Sequence, residues 1–220
     1  MPRPSLHQAI RSSRWFFLAL GVALLGYVGY SLLDAKLFQA SENRRLDQAL
    51  KVSPPPANPL PPQALPLPSG VVHHASFVSG STLGRIEIHR LKLSVIILEG
   101  TEAKTLRRAV GHIAGTALPG EFGNVGIAGH RDTFFRELRD IRTNDEITLT
   151  TLNGNFLYRV DSTKVVPPEE IEVLHDIGVP VLTLVTCFPF NYVGAAPSRF
   201  IVRAHRVEPG ESRQAGEKLP

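Results

Sequence analysis

The chain contains one cysteine, Cys187, and it closes the run Val181-Leu-Thr-Leu-Val-Thr-Cys. A thiol is a strong nucleophile once it becomes a thiolate, whereas an inert one is simply a small apolar core residue. For acyl chemistry such a thiol needs an acid/base and a donor for the developing oxyanion. His130 ends the small-residue run Gly126-Ile-Ala-Gly-His, whose glycines and alanine leave room for a substrate at the strand end, and it is the choice for acid/base. His112 in Val110-Gly-His-Ile is the runner-up and is more simply read as a hydrogen-bonding, structural histidine. Arg199 opens the strand that follows the loop Pro189-Phe-Asn-Tyr-Val-Gly-Ala-Ala-Pro. A guanidinium is always charged, and its planar fork suits a carbonyl or an oxyanion. Arg203 shares strand parity with Arg199 and competes for the role.

The N-terminal region indicates where these groups work. Trp15 to Leu33 carries no charge, nearly enough helix at about 1.5 Å per residue to cross a hydrocarbon core of roughly 30 Å. Arg3, Arg11 and Arg14 precede it without an acidic residue, so the positive-inside bias predicts residues 1–14 in the cytoplasm and the rest outside the plasma (inner) membrane. Leu33-Asp34-Ala35-Lys36 lacks a small-residue cleavage pattern, which favours an uncleaved single-pass anchor over a signal peptide. An unpaired thiol in an oxidising compartment calls for a use. These arginines supply most of the formal net charge of +4, and no basic stripe interleaved with aromatics points to nucleic acid.

Residues 34–69 read as a stalk. Lys36 to Val52 is polar and fits a helix continuing the anchor, and residues 53–69 hold eight of the 18 prolines, a polyproline-like spacer of about 3 Å per residue. Residues 70–208 have globular composition, and residues 209–220 are expected to be a flexible tail. Alternating and β-branched runs predict strands near Gly84–Ile88, Leu93–Leu98, Asn124–His130, Glu146–Thr151, Phe156–Val166, Val181–Cys187 and Phe200–Val207. Asn153-Gly154 predicts a type I′ hairpin. Short helical patches fit Thr101–Val110, with Thr101 as cap, Thr133–Ile141 and Pro168–Leu174. Without long helices between the strands the fold class is mainly β, a closed or partly closed barrel.

The segments GHIAGTALPGEFGNVGIAGHRDTFF, TLVTC and APSRFIVRA resemble the catalytic blocks of the sortases, cysteine transpeptidases of bacterial envelopes, and class D most closely. The resemblance spans residues 80 to 207. It implies an eight-stranded barrel with Cys187 as nucleophile, His130 as acid/base, Arg199 as substrate and oxyanion ligand and Thr186 lining the substrate groove. It also implies cleavage of an LPxTG-like signal after Thr and transfer of the acyl group, through a Cys187 thioester, to an amine of the envelope. The expected partners are secreted proteins carrying that C-terminal signal, the acceptor amine, and the membrane through residues 15–33. No cofactor is expected, and without an acidic cluster no metal. A membrane-anchored cysteine peptidase releasing the acyl group to water is the alternative enzyme. A non-catalytic envelope-binding barrel is the alternative outside enzymology.

Overall fold

A computed structural model describes residues 6–52 and 78–207, so the proline-rich stretch and the C-terminal tail lie outside the described residues. The chain divides into two compact units, residues 1–38 and 39–220. Helix α1 runs over Leu6–Val52, and its apolar stretch is long enough to cross a membrane. The side chains of Trp15, Phe16, Phe17, Leu24 and Leu25 are exposed, as a lipid-facing surface requires.

The last turns of α1, from Gln39 onward, belong to the second unit and pack on its barrel. Leu46 is buried there; Thr82 donates to Glu42, and Arg85 donates to Asn43 and Asp47. Gln39 accepts from the Ile96 N–H at 3.0 Å and donates to the Arg108 carbonyl at 2.7 Å. That amide satisfies backbone groups that a short neighbouring strand leaves open.

Eight strands close the barrel in the order β1-β2-β3-β4-β7-β8-β6-β5. They are β1 (Thr82–Ile88), β2 (Leu93–Glu99), β3 (Val110–His112), β4 (Asn124–Ala128), β5 (Glu146–Thr151), β6 (Gly154–Val166), β7 (Val181–Phe188) and β8 (Ser198–Arg206). Period-two alternation fills the interior, which takes Ile86 and Ile88 from β1, Val95 and Ile97 from β2, and Ile147 and Leu149 from β5. Phe156, Tyr158 and Val160 from β6 join them, with Leu182 and Leu184 from β7 and Val202 and Ala204 from β8.

Three local expectations are corrected. The stretch Thr101–Val110 yields only the single-turn helix α2 (Ala103–Leu106), capped by neither Thr101 nor any other side chain, and its end becomes the unforeseen strand β3. Three residues with a central glycine carry no readable alternation; pairing with β2 and β4 makes them a strand. The hairpin between β5 and β6 turns one residue early, through Leu152 and Asn153, and Asn153 lacks the positive φ that a type I′ turn demands. The Thr151 hydroxyl fastens this turn, accepting the Asn153 N–H and donating to the Gly154 carbonyl. Strand β4 ends at Ala128, two residues before His130, because His130 opens a turn in which its carbonyl accepts the Phe135 N–H at 3.0 Å.

Candidate active site

Strand register brings the chemistry together. In the antiparallel β7–β8 ladder Cys187 pairs with Arg199, so their side chains leave the same face of the wall from directly opposed positions. Parity sets both on the outer face, since Leu182 and Leu184 fill the interior. Strands β4 and β7 run parallel with Ala128 opposite Val185, and the Gly129 N–H donates to the Val185 carbonyl at 3.1 Å. His130 is two residues beyond Ala128 and Cys187 two beyond Val185, so the imidazole and the thiol stand at the same end of two adjacent strands. All three residues are half-buried.

Register also separates the competitors. Arg203 pairs with Thr183, four residues down the ladder from Cys187, and its Nη2 is buried without a partner. His112 is buried, with Nδ1 2.7 Å from Glu99 Oε2 and Nε2 2.9 Å from the Ala117 carbonyl. Thr116 Oγ1 lies 3.0 Å from the same Nε2. Both ring nitrogens are therefore spent, Nδ1 on the end of β2 and Nε2 on the β3–β4 loop, the structural use expected of it.

Thr186 is only 2% exposed, and its hydroxyl donates to the Gly129 carbonyl at 2.7 Å. It joins the cysteine strand to the residue before His130. Thr183, the first threonine of the same Thr-Leu-Val-Thr-Cys run, donates to Asn124 Oδ1 at 2.7 Å. The Asn124 amide donates in turn to the carbonyls of Val173 and His175, at 3.1 and 3.2 Å. This pair pins the 3-10 turn Ile171–Leu174 of the β6–β7 loop onto the outer face of the wall.

The glycines of Gly126-Ile-Ala-Gly have a different use from the one expected. A methyl at Gly126 would meet Thr116 at 3.0 Å and Leu174 at 3.2 Å, and one at Gly129 would meet the Phe135 ring at 2.6 Å. Their space is taken by the protein itself. Beneath Cys187 the rings of Phe188, Phe190 and Phe200 form a stacked and edge-on cluster with centroids 5.3 to 6.3 Å apart, a stiff floor for the strand ends.

Arg199 Nη1 donates to the carbonyls of Ala196 (3.4 Å) and Ser198 (3.1 Å), which fixes the side chain's bearing. Its Nε and Nη2 make no hydrogen bond among the described residues. A thiol, an imidazole and a guanidinium with donors to spare can together carry out acyl transfer through a thioester.

A Sortase domain model matches residues 86–207. The chain belongs to the sortase family. It is 32% identical over 200 residues to Sortase D of Bacillus subtilis, covering 87% of this chain and 96% of that relative. Among solved structures, the Clostridium perfringens Sortase D5 transpeptidase superposes with a TM-score of 0.55 at 31% identity, over 60% of this chain and 83% of that one. Sortase A of Corynebacterium diphtheriae gives 0.55 at 31% identity, over 61% and 65%. This sortase therefore has the closed eight-stranded barrel of its family and belongs with the cysteine transpeptidases that sort proteins to the cell wall, acting on secreted proteins with sorting signals and on amine acceptors.

Asn124 and Thr183 are not among the site residues expected from the sequence. The signal was present, because an asparagine opening an apolar strand is out of place by propensity and asks for a buried partner.

Proposed function

We propose that this sortase cleaves an LPxTG-like signal between Thr and Gly and joins the new C-terminus to an amine of the envelope. The Cys187 Sγ attacks the threonine carbonyl carbon, and Arg199 stabilises the oxyanion with the donors its own loop leaves unused. The C–N bond breaks as His130 gives its proton to the departing glycine amine, leaving a thioester on Cys187. The acceptor amine then adds to the thioester carbonyl and loses a proton to His130, and the C–S bond breaks to release the Cys187 thiolate beside the protonated imidazole, ready for the next turnover. Thr186 contributes by position: its bond to Gly129 keeps the two strand ends in step.

The observation that carries this reading is the register pairing Cys187 with Arg199 while β4 delivers His130 to the same level. The test is mass spectrometry of the protein after exposure to a panel of LPxTG-like peptides. A thioester adduct at Cys187, lost in Cys187→Ala and trapped as an amide when a glycine-based amine is added, is expected. A product that is always the free acid, with the amine in excess, would assign the protein to hydrolysis instead. No adduct with any peptide would remove the proposal.

Anchoring belongs to the same reading. Residues 15–33 span the plasma membrane with Arg3, Arg11 and Arg14 inside, and the barrel works outside on secreted substrates. Protease added to intact protoplasts should digest the barrel and spare an epitope placed at residue 1.

A further inference from the structure

The loop Pro189–Pro197 leaves β7 two residues after Cys187 and enters β8 two residues before Arg199, so its conformation borders both. It has little to hold it. Among the described residues its internal backbone bonding is one long contact, Tyr192 N–H to the Pro189 carbonyl at 3.4 Å. Phe190 packs in the aromatic cluster at its start, but beyond it Val193 is 96% exposed and Tyr192 about half, so apolar packing contributes little to residues 191–197.

One side chain from elsewhere takes up this task. Arg131, the residue after His130, sends Nη1 to the Pro189 carbonyl at 2.9 Å and Nη2 to the carbonyls of Tyr192 at 2.6 Å and Gly194 at 3.3 Å. Its guanidinium carbon also lies 5.8 Å from the centre of the Tyr192 ring. Arg199 holds the remaining end of the same loop through the Ala196 and Ser198 carbonyls. Two guanidinium groups thus divide the loop between them, and one is covalently next to the imidazole.

We infer that Arg131 is a positioning residue that clamps the β7–β8 loop against the His130 turn, and so fixes the distance across which His130 and Arg199 grip a bound peptide. Three carbonyls at different heights match a planar fork of donors and not a single ammonium, so charge alone does not substitute for it. The loop carries one of the two carbonyls that aim Arg199, that of Ala196; the other, on Ser198, belongs to β8 and is held by pairing with Phe188. When the clamp is released, the Ala196 carbonyl wanders and the Arg199 guanidinium loses part of its bearing, although its backbone stays paired with Cys187.

The inference rests on the transpeptidase reading for its kinetic consequence and on geometry alone for its structural one, and the experiment separates the two. Hydrogen exchange is measured on the full chain in detergent for wild type, Arg131→Lys and Arg131→Met. Exchange at the Tyr192 amide, the loop N–H with a backbone acceptor on the carbonyl that Arg131 holds, is expected to rise about tenfold in both variants, the scale of losing a charge-assisted hydrogen bond, while strands β4, β7 and β8 stay protected. With an LPxTG-like peptide that acylates the wild type, both variants should raise KM about tenfold and lower kcat less, while a small alkylating reagent reacts with Cys187 at the wild-type rate.

Wild-type exchange in the loop of both variants overturns the clamp, as does full rescue of KM by lysine. Loss of protection throughout the barrel in both variants also overturns it, since Arg131 would then support the fold and not the loop. If no peptide acylates the wild type, the transpeptidase reading fails and the exchange result still decides the clamp.

Discussion

The loops entering and leaving β7 are held by different physical means. Residues 167–180 are fastened from below, where a buried asparagine reads the carbonyls of Val173 and His175 and a buried threonine orients that asparagine. Residues 189–197 are fastened from the side by a half-buried arginine that reaches over from the histidine turn. A neutral network shielded from water is expensive to break, because each orphaned group keeps its desolvation penalty. An arginine near solvent loses less when it lets go, since water replaces the carbonyls. The first loop is thus built as part of the wall and the second as an adjustable border to the thiol. A site that must admit a peptide and then an amine can use one fixed side and one yielding side.

The sharpest way to break the comparison is Asn124→Ala. It removes two carbonyl contacts and leaves the fully buried Thr183 hydroxyl only a long 3.5 Å contact to the Val173 carbonyl, and it should lower unfolding free energy by about 3 kcal/mol in a urea titration. A loss under about 1 kcal/mol would place the two loops in the same class.

Alkali supplies the next test, because it weakens the barrel interior without titrating either fastening. Burial pushes the Tyr158 phenol up to about 12, with its hydroxyl facing no partner. The folded-state value lies above the ordinary value near 10, so the associated stability is intact below about pH 10 and falls as pH rises towards 12, where only the unfolded chain ionises. The expected decline is roughly 2.5 kcal/mol, absent in Tyr158→Phe. The difference between wild type and Asn124→Ala should be the same at pH 8 and pH 11, since distant sites add.

The smallest effect belongs to Thr183→Val, which removes one hydrogen bond while keeping the shape. Asn124 retains its carbonyl partners, so a loss of about 1 kcal/mol is expected, with faster hydrogen exchange confined to residues 171–176. Equal exchange across both loops would mean that they move as one body.

Much of the barrel could be read from the sequence because its strands alternate cleanly: Glu146–Thr151 was predicted to the residue, and β7 and β8 to within one or two. The strand β3 could not be read, since Val110–His112 becomes extended only when β2 and β4 supply partners on both sides. The type I′ turn failed for a related reason: Asn-Gly fixes a local preference, while the Thr151 hydroxyl and the β5–β6 register select the turn that forms. At the site, residue types pointed to Cys187 and His130, and the family resemblance implied Arg199; residue type and parity alone left Arg203 equal to it. The choice between Arg199 and Arg203 needed the ladder, because equal parity puts both on one face and only pairing says which stands opposite the thiol.

By itself the sequence determined the apolar stretch of α1, the mainly β interior and the lone thiol with a histidine at a strand end and two arginines of equal parity on one strand. These follow from composition and short-range periodicity, which any stretch of chain carries locally. The tertiary structure decided which arginine faces Cys187, that both threonines of the cysteine run are spent on neighbouring strands and loops, and that Arg131 reaches the β7–β8 loop. Apart from the Cys187–Arg199 pairing across one hairpin, those contacts join residues about sixty positions apart, and strand pairing, not local preference, sets which of them meet.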